Sequence, residues 1–173
     1  NAARPEALMG CYSFVNHVLA LRPDVPLGIE IPSIVDGLRR EVAAGQLAGA
    51  EIDVVQGCDV DGDDRSSFAE ASEAAREADV AVVVVGDQAG LFGRGTVGEG
   101  NDVETLELPG VQRELVEAVR ATGTPTVLVV LTGRPYAIGW ALDGPTAVNG
   151  VVQAFFPGEE GGTAIAGVLS GRV

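Results

Sequence analysis

One histidine, two cysteines and no cluster of basic residues narrow what this chain of 173 residues can do. Around the lone His17 no Ser-His-Asp, Cys-His or multi-histidine metal arrangement is readable, and His17 is expected in a surface loop. Cys11 and Cys58 are too few for a disulfide-stapled scaffold and have no zinc-type spacing. They read as two small, buried or half-buried thiols, with a single disulfide as the alternative. Eleven basic against 25 acidic residues give a formal charge of −14. Such a surface field repels phosphate backbones and anionic lipid, so neither nucleic acid nor membrane is expected as a partner. The apolar runs fall short of the ~20 residues that cross a bilayer, and Asn1 onward lacks the basic-then-apolar pattern of a signal peptide. A soluble domain is expected, with the cytoplasm favoured over secretion and the compartment otherwise unknown. Asp59, Asp61, Asp63 and Asp64 alternate as in a calcium loop, but Gly62 falls too early for that pattern. A solvated turn is expected there, and neither metal nor cofactor.

Hydrophobic residues make up 46% of the chain, enough for a core, and the length suits one domain over 1–173. Helix-like and strand-like patterns alternate. Ile34, Leu38 and Val42 follow Pro32-Ser33 at i, i+4, i+8 and predict a helix ending at Gly45 or Gly49. Glu51 to Val55 predicts a short strand, and Ser66 or Ser67 caps a helix through Ala78. Val80 to Val85 has no polar alternation, which predicts a strand buried on both faces in a parallel sheet. Further helices are expected from Pro109-Gly110 to Thr122, over Tyr136 to Leu142 and over Gly162 to Leu169. Strands are expected at Thr126 to Leu131 and Val151 to Phe156. This order predicts an α/β fold, a three-layer α/β/α sandwich with a mostly parallel sheet, flavodoxin-like in appearance. Loops after successive parallel strands share one edge of the sheet, so function is expected at Gly86-Asp87, Thr132 to Pro135 and Pro157 to Gly162.

The longest of these loops runs from Gly86 to Gly110 and carries Gly98-Glu99-Gly100-Asn101-Asp102. Its glycines invite a phosphate-cradle reading, but G-x-G-x-x-G and G-K-[ST] are both missing and the next helix starts only near Pro109. A flexible carboxylate between two glycines suits the proton donor of a glycosidase, which works with a second carboxylate. On pattern alone the choice stays open between that role for Glu99 and two solvated loop acids, Glu99 and Asp102. Arg134 at the next strand end is expected as a structural tie to the neighbouring loop. Glu159 and Glu160 are explained by the dipole of the helix that follows.

Taken together, Val82 to Gly86, Gly98 to Asp102, Leu106-Glu107-Leu108-Pro109-Gly110-Val111-Gln112, Val129 to Pro135 and Phe156 to Ala166 resemble the second domain of family 3 glycoside hydrolases. That family comprises β-glucosidases and β-xylosidases. Gly10 to Phe14 is similar to the segment that follows the first strand of that domain. The resemblance implies the C-terminal domain of an exo-acting retaining β-glycosidase, in which a TIM-like barrel supplies an aspartate nucleophile. By the same resemblance the sandwich is expected to supply the acid/base carboxylate, which falls on Glu99. Asp102 and Arg94 in the same loop are the substrate-binding candidates. The barrel domain and a β-linked glycoside or oligosaccharide are the implied partners. Many members carry Arg after the loop aspartate, where this chain has Val103. The family's opening strand would precede Met9-Gly10, so the sheet is expected without it, and the piece is expected to rearrange or form a homodimer. Alone it is expected to be inactive. The alternatives are a non-catalytic carbohydrate-binding or scaffold module with the same sandwich, and a flavodoxin-like nucleotide or receiver domain, against which the missing phosphate motifs weigh.

Overall fold

The computed structural model describes residues 1–173. In chain order it contains α1 (Ile34–Ala43), α2 (Phe68–Glu77), β1 (Ala81–Gly86), α3 (Gln112–Arg120), β2 (Thr126–Leu131), α4 (Gly139–Leu142), β3 (Gly150–Gln153) and α5 (Gly161–Ser170). A 3-10 turn at Pro5–Leu8 and a π-helical turn at Phe14–Leu19 precede them. The three strands pair in parallel in the order β1-β2-β3, with Val83 opposite Leu128 and Val129 opposite Val152.

The central strand explains the layering. Leu128, Val129, Val130 and Leu131 are all fully buried, so alternate side chains leave the sheet on opposite faces and each face needs a cover. On one face Leu128 and Val130 join Val83, Val85 and the apolar stripe Leu115, Val116 and Val119 of α3. On the other, Val129 and Leu131 pack with Ile34 of α1 and Ile165 of α5. Each such side chain contributes about 2 kcal/mol when removed from water. The α/β/α sandwich expected from the sequence is the fold observed.

Local signals set the helix ends. Ser33 accepts from the Asp36 N–H while Asp36 accepts from the Ser33 N–H, a reciprocal box that starts α1 where Pro32-Ser33 predicted it. Helices α1 and α5 then approach so closely that a Cβ on Gly37 would lie 2.5 Å from the Gly162 carbonyl oxygen. Glycine is required there by contact rather than by conformation.

Several expectations are corrected. Glu51 to Val55 forms no strand: no hydrogen bond joins its backbone to a neighbour, and Val54 is left exposed. Strand propensity holds nothing without a partner strand. The valine run of β1 is not covered on both faces either. Val83 and Val85 are buried, but Val82 is 38% exposed, because β1 is an edge strand and the α1–α5 layer reaches only Val84. β3 stops at Gln153, short of Phe156, where the chain turns through Phe155 at φ 54°. α4 starts only at Gly139, because Tyr136 is drawn into a buried hydrogen bond with Asp87. His17 sits half-buried in the π-helical turn, with its ring stacked on Tyr12 at 6.0 Å. The two cysteines agree with expectation: Cys11 and Cys58 are both free and half-buried, and burial pushes the Cys58 thiol above its usual pKa.

Candidate functional site

Because all three strands run the same way, the loops after Gly86, Leu131 and Gln153 emerge at one edge of the sheet. The first loop curls back beside its own start. Thr96 N–H donates to the Gln88 carbonyl at 2.9 Å, Gly90 N–H to Val97 at 3.0 Å and Phe92 N–H to Glu99 at 2.8 Å. Gly98 permits the fold-back, since at φ 130° a Cβ would lie 1.9 Å from the Gly90 carbonyl oxygen.

Two buried side chains lock this curl. Asn101 donates to the Gly90 carbonyl at 3.0 Å and accepts from Gly93 N–H at 2.9 Å. Asp87, fully buried, accepts from Thr96 Oγ1 at 2.7 Å, the Tyr136 hydroxyl at 2.6 Å and Gly133 N–H at 2.9 Å. Burial first, and then the adjacent Asp87 carboxylate, push the Tyr136 phenol far above its ordinary pKa, so it remains a donor. Arg134 completes the set by donating to the Asn101 carbonyl at 2.8 Å, the structural tie expected of it. The loop is therefore held to the β1 and β2 ends, and its rigidity does not depend on Glu99.

Glu99 itself is exposed, and its carboxylate accepts from the hydroxyl of Tyr12, a residue 87 positions earlier. An accessible carboxyl on a fixed loop can give a proton to a bound group and take one from water. Phe92, whose N–H meets the Glu99 carbonyl, holds φ at 51° and is 67% exposed. A bulky residue in that region carries strain that the surrounding hydrogen bonds maintain.

The other two candidates stand apart from one another. Asp102 is exposed and lines an open cleft of about 340 Å³ with Asp61, Asn101 and Pro109. Arg94 folds back to its own turn, donating to the Leu91 carbonyl at 3.1 Å, and borders a separate hollow shared with Arg4 and Asn16. Asp59, Asp61 and Asp64 are spent on local turns through Gln56, Gly62 and Ser66. No group of three His, Cys, Asp or Glu side chains is arranged to hold a metal ion. Sequence reasoning placed Asp87 at the functional edge and Asn101 in the Glu99 motif, but missed their anchoring roles and the contact of Tyr12 with Glu99. The one available signal was a carboxylate placed directly after a valine strand, where water cannot reach it.

Comparison with known proteins bears on this edge. Residues 1–173 match the model described as "Glycosyl hydrolase family 3 C-terminal domain". A β-xylosidase of Formosa agariphila is 36% identical over 141 residues, which is 82% of this chain and 18% of that protein. A periplasmic β-glucosidase of Salmonella typhimurium is 39% identical over 102 residues, 59% of this chain and 12% of its own length. Among solved structures, a GH3 exo-β-xylosidase in complex with a xylobiose aziridine probe superposes with a TM-score of 0.75. It is 24% identical, covering 99% of this chain and 19% of that one, a likeness of fold. The chain thus spans less than a fifth of the curated relatives it matches.

Proposed function

The chain belongs to glycosyl hydrolase family 3, whose C-terminal domain it matches along its whole length, and on that premise we propose that Glu99 is the general acid/base of a retaining β-glycosidase. The observation that carries the proposal is an exposed carboxylate presented by a loop whose base is locked by Asp87, Asn101 and Arg134. Retaining hydrolysis needs a proton donor about 5 Å from a carboxylate nucleophile. In the first step Glu99 gives its proton to the glycosidic oxygen as the nucleophile forms a bond to the anomeric carbon and the aglycone leaves. In the second the Glu99 carboxylate takes a proton from water, which displaces the enzyme carboxylate and releases the sugar.

The nucleophile belongs to a partner barrel domain of the whole protein, and the substrate is a β-linked glucoside or xyloside cut from a chain end. Asp102 serves the substrate from the open cleft, and Arg94 from the other side of the loop. Without the barrel the 173-residue chain is inactive. The relatives named β-xylosidase and β-glucosidase support this class of substrate. The assignment is tested in a full-length enzyme carrying this domain with E99A and an activated aryl β-glycoside. Added azide, which needs no base, should attack the stalled glycosyl-enzyme and yield the β-glycosyl azide. Failure of azide to form that product would remove Glu99 from the role.

Self-association is proposed for the isolated chain. Ala81 N–H and Asp87 N–H point to β2, so by alternation Val82 and Val84 present their backbone groups outward at the sheet edge. An open edge with an exposed valine is a template for a second copy. Sedimentation should show a dimer that strengthens when salt screens the charge of −14, and Val82→Lys should return it to a monomer. A monomer at every salt concentration would contradict this.

A further inference from the structure

We propose that Asp87 is the positioning residue of the acid/base loop, its buried carboxylate fixing where Glu99 is presented through Thr96, Gly133 and Tyr136. The inference rests on the assignment of Glu99 made above. A carboxylate without exposed surface is costly unless donors replace the lost water. Three donors do so here, and they come from different parts of the edge. Thr96 lies in the Glu99 loop, Gly133 at the end of β2 and Tyr136 ahead of α4, at 2.7, 2.9 and 2.6 Å.

The donors have a direction. Gln88 N–H donates to Thr96 Oγ1 at 3.0 Å, which commits the Thr96 proton to Asp87. Oδ1 takes both hydroxyls and Oδ2 takes the Gly133 amide, so both oxygens act as acceptors. Asparagine at 87 keeps the size but has one acceptor oxygen, and its NH₂ would face a donor. Only Val97 and Gly98 separate Thr96 from Glu99, and both are bonded or packed to Gly90. A shift of the Thr96 anchor is therefore passed on to Glu99. Asp87 cannot touch a substrate, so any effect it has on the reaction acts through the loop.

The test compares D87N, E99A and the double variant in a full-length enzyme carrying this domain, on a dinitrophenyl glycoside and on an unactivated β-linked disaccharide. D87N should lower kcat/KM on the disaccharide roughly tenfold, with a smaller loss in kcat/KM on the activated substrate, whose aglycone leaves without a proton. Added to E99A, it should cost nothing further on the activated substrate, because the group it positions is already gone. Equal losses in both backgrounds, or a leaving-group dependence unchanged by D87N, would overturn the inference. Should D87N fold poorly, Thr96→Val removes one donor and should give the same pattern at smaller size, and its absence there counts against the inference equally. Amide hydrogen exchange over residues 88–101 gives a readout independent of chemistry. D87N should accelerate it, and unaltered exchange would overturn the claim that Asp87 holds the loop. An E99A variant without leaving-group dependence would instead overturn the assignment of Glu99, while the exchange result still decides whether Asp87 anchors the loop.

Discussion

The hydroxyl of Tyr12 donates to the carboxylate of Glu99, joining the segment before the π-helical turn to the tip of the loop after β1. Tyr12 is 66% exposed, so water competes for both partners and the contact orients Glu99 more than it stabilises the fold. Tyr12→Phe should leave the melting temperature within about 2 °C, a change of under ~1 kcal/mol in a domain of this size. It should lower kcat about threefold to tenfold on substrates that need protonation, the worth of roughly one exposed hydrogen bond. Steady-state kinetics on paired activated and unactivated glycosides checks this.

Gln112 substitutes for a strand at the edge of β1. Its side-chain amide accepts from Gly86 N–H at 2.7 Å and donates to the Gly86 carbonyl at 2.8 Å and the Val60 carbonyl at 2.7 Å. Gln112→Ala would leave these buried backbone groups unpaired at a cost of about 3 kcal/mol. The expected fall in melting temperature is roughly 6–12 °C, measurable by calorimetry.

The capping box of α1 carries a pH signature. The Ser33 hydroxyl, then the Ser33 N–H, hold the Asp36 carboxyl below its ordinary pKa. A carboxyl depressed in the folded state adds stability at pH values above its unfolded pKa, about 3.9, and loses that contribution as pH falls through the lower folded value. Ser33→Ala should therefore cost about 1 kcal/mol at pH 7, with the gap to the parent narrowing below pH 4. Urea unfolding at pH 7 and pH 3 provides the comparison.

Legibility in the sequence followed the range of the interactions. The helix α1 was readable because its apolar spacing and the Ser33 start are local, and β2 because an unbroken apolar run needs burial on both faces. The same run in β1 misled, since Val82 depends on how far a distant helix layer extends, which no local pattern encodes. Glu51 to Val55 has the composition of a strand, but pairing is decided by a neighbour elsewhere in the chain. At the site, Glu99 was legible from its flanking glycines and the motifs around it. Asp87 was legible as a position at the functional edge, but its anchoring role and the Tyr12 contact were not, because Gly133 and Tyr136 lie 46 and 49 residues from Asp87 and Tyr12 lies 87 from Glu99.

The most direct test of the account is the leaving-group dependence of E99A in a full-length enzyme carrying this domain. If Glu99 protonates the departing oxygen, kcat/KM should fall by about 10²–10⁴ for an alkyl or sugar aglycone and far less for dinitrophenolate, which leaves unaided. Equal losses on both substrates, or none on either, would contradict the assignment of Glu99 as the acid/base.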